Sequence, residues 1–78
     1  MATATIDIMA RLTAHMRAAE LAKGEPVTKS DAFYGGLLES TPREEIGQYL
    51  KGHGFTFEMG RGSLGQLWLI VKKSGGSN

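Results

Sequence analysis

Between Thr41 and Lys73 the sequence places a helix start, a short helix and a hairpin in immediate succession, with only Gly52, His53 and Gly54 between helix and strands. Thr41 followed by Pro42 and Glu44 predicts a helix beginning there, with Thr41 as N-cap, Pro42 at the first helical position and Glu44 reaching back to the cap. Ile46, Tyr49 and Leu50 form the apolar face of this third helix, which leaves Arg43, Gly47, Gln48 and Lys51 for its outer side. His53 stands where an imidazolium suits the negative end of the helix dipole. Phe55 to Met59 then alternates as a strand with one buried face does, and Gln66 to Val71 is a second β-rich run. Gly60 to Gly65 joins the two as a turn whose glycines tolerate positive φ. Leu67, Leu69 and Val71 fall on one side of the second strand, and Trp68 and Ile70 on the other. One side is expected to cover the core and the other to meet a partner or the first helix.

Upstream, Thr5 to Ala22 holds strong helix formers and no Gly or Pro, with Asp7 in the expected first turn. Ile8, Leu12, Met16 and Ala19 make one stripe, with Met9 and His15 on its borders and Asp7, Arg11, Ala14 and Ala18 opposite. Lys23, Gly24 and Pro26 end this helix. Glu25, Pro26 and Val27 favour extended backbone, because the residue before proline avoids the α region and Val favours strands, which predicts a strand stub of two or three residues near Val27. Thr28-x-x-Asp31 reads as a second helix start, and Phe33, Tyr34, Leu37 and Leu38 recur at one-turn spacing. Gly35 and Gly36 each cost that helix about 1 kcal/mol, or else allow another helix to approach closely. The expected fold is α+β: three helices followed by a β-hairpin, with the stub near Val27. Residues 5–73 form one domain, with loose ends at 1–4 and at the Gly- and Ser-rich 74–78.

With 78 residues, folding buries roughly 60–65% of the chain's surface, so one compact core is expected and large internal cavities are not. The chain has no cysteine, which excludes disulfides and thiolate metal sites and suits a reducing compartment. No secretory leader and no apolar run of membrane-spanning length is read, so a cytoplasmic protein is expected. Nine Lys and Arg against eight Asp and Glu leave a formal charge of +1, which does not by itself announce a nucleic-acid partner.

The order of elements resembles the winged helix-turn-helix superfamily, which has a strand stub before its second helix and a hairpin wing after its third. The resemblance spans Thr5 to Lys73 and rests on the Gly24-Glu25-Pro26-Val27-Thr28 stub, the capped third helix and the glycine-tipped hairpin. It implies that the third helix enters a DNA major groove while the wing meets backbone or minor groove. Arg43 and Gln48 would then face base edges, since Arg suits guanine and Gln suits adenine, and Lys51, Arg61, Lys72 and Lys73 would meet phosphates. So few phosphate contacts bind weakly and salt-sensitively, so a homodimer is expected. The small size suits a transcription regulator or accessory factor of the kind mobile elements carry.

The remaining chemistry is sparse. His15 and His53 have no metal-ligand spacing, the serines lack a nucleophile context, and Gly60-x-Gly62-x-x-Gly65 joins two strands where a dinucleotide fingerprint would open a helix. No catalytic residue, cofactor or metal is expected. Arg61 reads equally as a wing arginine and as a solvated loop residue, and Trp68 as a stacking platform or as half-buried structure. The exposed small residues Ala14, Ala18 and Ala22 suit either solvent or a second helix. Two functions follow: a double-stranded DNA-binding module, or the same fold docking a protein partner through the hairpin or helix 1. Near-neutral charge and the Glu44-Glu45 pair favour the second.

Overall fold

A computed structural model describes residues 2–74 of the chain, with side chains from Asp7 onward. Six elements follow one another: α1 (Ala2–Leu21), β1 (Val27–Ser30), α2 (Leu37–Ser40), α3 (Arg43–Gly52), β2 (Phe55–Arg61) and β3 (Leu67–Lys73). The three strands form one antiparallel sheet in the order β1-β3-β2, so the stub near Val27 becomes a full outer strand. Val27 pairs with Val71 on one side of β3, and Phe57 pairs with the same Val71 on the other. The fold is α+β with helices and strands interleaved. Among the described residues no helix is long and apolar enough to cross a membrane.

The apolar stripe of α1 does what its spacing requires. Ile8, Leu12, Met16 and Ala19 are buried against Leu38, Ile46, Leu50, Phe55, Leu69 and Val71. His15, read as a border residue, is buried completely with both ring nitrogens bonded. Nε2–H donates to the Val27 carbonyl at 2.7 Å, which leaves Nδ1 to accept from the Tyr34 hydroxyl. Burial lowers the His15 pKa and nearby Lys29 lowers it further, against the opposing Val27 hydrogen bond. Burial likewise raises that of Tyr34. The neutral pair ties α1 to β1 and to the segment before α2.

The boundaries differ from the expected ones in four places. Helix α1 begins at Ala2, three residues before Thr5, so Asp7 lies beyond the first turn; Met1 and residues 75–78 lie outside the described residues. The Thr28-x-x-Asp31 pattern does not start a helix, because Thr28 is in β1 and the chain from Asp31 to Gly36 forms consecutive turns. Gly35 at φ 60° and Gly36 at φ 80° take left-handed conformations that a continuing helix cannot use. Helix α2 is left with four residues, and the Asp31 carboxylate accepts from the Leu38 amide at 3.3 Å. Tyr34 and Leu38 still reach the core, so the one-turn spacing is satisfied by turns.

The Thr41 capping box is likewise not formed. Thr41 is extended, as a residue before proline prefers, and Pro42 is itself extended at ψ 136°. Pro42 therefore takes the N-cap position, its carbonyl accepting from Glu45 at 3.0 Å, and no side chain caps the helix. Glu44 and Glu45 remain in the first turn, where the dipole favours carboxylates. At the other end His53 donates from Nδ1 to the Tyr49 carbonyl at 2.8 Å. Finally, β2 runs on through Gly60 to Arg61, so the connecting loop shortens to residues 62–66.

Candidate nucleic-acid interface on the third helix

Helix α3 buries Ile46 and Leu50 and turns Arg43, Gln48 and Lys51 outward, which brings these three expected site residues together. They line one open groove of about 500 Å³, with Glu44 and with Phe57 of β2 as its aromatic floor. The Arg43 guanidinium lies 5.6 Å from the Phe57 ring centre, a cation–π distance that holds it at the rim. Gly47, expected on the outer side, is instead buried beneath Phe57. A Cβ there would stand 2.9 Å from the Phe57 ring, so this glycine lets helix and strand approach. Glu45 faces the other way, toward Ile8, Met9 and Thr41, which leaves Glu44 as the groove's one carboxylate.

The other three expected residues lie elsewhere, and the alternation of the sheet explains why. Arg61 shares the helix-facing side of β2 with Phe55, Phe57 and Met59, and there it meets α2. Its guanidinium donates to Glu39 at 2.9 and 3.4 Å and to the Gly65 carbonyl at 2.8 Å. Hydrogen bonding and charge from Arg61 lower the Glu39 pKa, and Glu39 raises that of Arg61 in return. Lys73, on the same side of β3, bonds Glu20 of α1 at 2.9 Å and lies over the Phe55 ring. Lys72 points the opposite way, onto the sheet face that no helix among the described residues covers. The hairpin tip presents Leu64, 90% exposed, where a wing arginine was one expectation.

Sequence reasoning missed Phe57 as the floor of the groove, Gly47 as its seat and Glu39 as the partner of Arg61. The strict alternation from Phe55 through Met59, carried two residues further, places Arg61 on the inner face. No sequence signal paired it with Glu39. Among the described residues no group of three or more His, Asp or Glu side chains gathers to hold a metal ion. Comparison with protein-family models, with curated proteins and with solved structures finds no match to this chain.

Proposed function

We propose that this chain is a small winged-helix-like module that binds double-stranded DNA through α3. The observation that carries the reading is the convergence of Arg43, Gln48 and Lys51 on one exposed groove of a single helix. Two donor-bearing side chains able to read base edges and one lysine able to meet a phosphate are what a helix in a major groove requires. The pairing of the β1 stub with β3, beside the hairpin that follows α3, supports the same family arrangement. Arg61 takes little part, because Glu39 and the Gly65 carbonyl already occupy it, so recognition rests on the helix more than on the wing.

The affinity expected of so small a basic surface is that of non-specific binding, a Kd of about 10⁻⁴ to 10⁻⁶ M at physiological salt. The test is a fluorescence-anisotropy titration on mixed-sequence duplex at two salt concentrations. Arg43→Ala with Lys51→Ala should weaken binding and flatten its salt dependence, while Arg61→Ala should leave both nearly unchanged. Absence of binding at low salt, or a reversed order of variants, refutes the reading. A second reading, docking of a protein partner, is favoured by one observation: among the described residues no helix lies over the sheet face bearing Trp68 and Ile70.

A further inference from the structure

The sheet has two faces of opposite fate. Phe55, Leu69 and Val71 point into the core beneath the helices, whereas Thr28, Ser30, Thr56, Glu58, Trp68, Ile70 and Lys72 point away from it. On this outer face Trp68 and Ile70 form a central ridge on β3. Trp68 lies across Gly60 of β2, where a Cβ would stand 2.3 Å from the indole. Two hollows flank Ile70 along the ridge. One, of about 730 Å³, is bounded by Thr28, Ser30, Phe33 and Trp68, and the other by Pro26, Thr56, Glu58 and Lys72.

Lys72 and Glu58 supply one charge of each sign beside Ile70, and Lys29 stands at the edge of the larger hollow with its ammonium over the Phe33 ring. Neither Lys72 nor Glu58 takes part in the ion pairs of the described residues, which are Arg61 with Glu39 and Lys73 with Glu20. An apolar ridge with a cation beyond one end and a carboxylate beside its centre does not suit a polyanion. It suits a surface like itself. Lys72 stands two residues along β3 from Ile70, and Glu58 stands one strand across from Ile70 in register. A two-fold axis running between those two directions in the plane of the sheet exchanges them. It sets Lys72 of each copy on Glu58 of the other and Trp68 of each on Thr28 of the other, with the sheets crossing near a right angle, one of the two preferred angles for stacked sheets.

From this we infer that the outer face of the sheet is the interface of a homodimer, formed by orthogonal packing about Ile70. The inference does not require that α3 reads DNA: of the residues lining the α3 groove only Phe57 also borders a hollow of this face. A C2 interface is self-complementary by construction, and a cation and an anion that a two-fold axis through Ile70 exchanges meet that condition.

Trp68 is the only tryptophan in the chain, so its fluorescence reports this face directly. At about 100 µM, where an association of micromolar strength is essentially complete, sedimentation should give twice the mass of the chain. Dilution through the dissociation range should shift Trp68 emission to the red together with the loss of mass. Ile70→Lys and Thr28→Lys should each weaken the dimer by about tenfold or more. Ile70→Lys gains a cross-strand partner in Glu58, so its folding, checked by circular dichroism, should persist. A monomer at about 100 µM, or a dimer whose Trp68 emission does not change on dilution, overturns the inference. So does a dimer indifferent to both folded variants, or duplex DNA quenching Trp68 without a change of protein stoichiometry. If either variant fails to fold, the wild-type dilution decides alone.

Discussion

Two adjacent residues of β3, Leu69 and Ile70, stand on opposite faces of the same sheet and have opposite surroundings. Leu69 is fully buried under the helices, and Ile70 borders two open hollows. The same alternation sorts the charges: Lys73 and Arg61, on the helix side, are held by Glu20 and Glu39, while Lys72, on the outer side, is in none of these pairs. On β2 and β3, strand parity thus sorts the paired cations from the unpaired one. On α3 the helical spacing turns Arg43, Gln48 and Lys51 outward beside a single groove carboxylate, Glu44.

Shortening Leu69 and Ile70 in turn separates the two faces most sharply. Leu69→Ala should cost about 2–5 kcal/mol of stability by leaving a cavity. Ile70→Ala, measured at concentrations below the dissociation range of the dimer, should cost about 1 kcal/mol or less. Urea denaturation of both variants checks the contrast, and similar losses would mean the outer face is packed as tightly as the core. Next in size is Gly47→Val, which should cost about 1–3 kcal/mol because the new side chain meets the Phe57 ring. The same variant should lower DNA affinity, since it moves the floor of the groove.

Tyr34→Phe removes the hydroxyl that His15 Nδ1 accepts from and leaves a buried acceptor unsatisfied, at a cost of about 1–3 kcal/mol by thermal or urea melts. This pair also sets a pH dependence. The folded state lowers the His15 pKa, so the unfolded chain binds more protons below the ordinary histidine pKa of 6.5. Stability from this group is fully present above that value and declines as the pH falls beneath it. Urea melts at stepwise lower pH should show the decline beginning near pH 6.5, and a His15→Gln variant that still folds should lose it. The smallest effect is expected for Glu39→Gln, at a pair open to solvent on both sides, which should leave thermal stability nearly unchanged.

Much of the architecture was legible in the sequence because periodicity is a direct imprint of burial. The α1 stripe, the strand after Pro26, the third helix and the alternating hairpin strands are all present. The second helix was not legible, because Phe33, Tyr34, Leu37 and Leu38 sit at a spacing that a helix and a run of turns share. The conformation of Gly35 and Gly36 decides between them, and glycine's freedom in φ gives no warning of which is chosen. The Thr41 cap failed for a related reason: a residue before proline prefers extended backbone, and here Pro42 stays extended as well. Of the candidate site, the α3 trio was readable from helical spacing. The positions of Arg61 and Lys73 were not, because their carboxylate partners come from α2 and α1, 22 and 53 residues away along the chain.

The most direct test of the central claim is a nuclear magnetic resonance titration of the isotope-labelled chain with a short mixed-sequence duplex at low salt. Amide shifts should move at Arg43, Gly47, Gln48 and Lys51, with Trp68 and Ile70 unaffected. Shifts confined to the outer sheet face, or none at saturating duplex, would contradict DNA binding through α3.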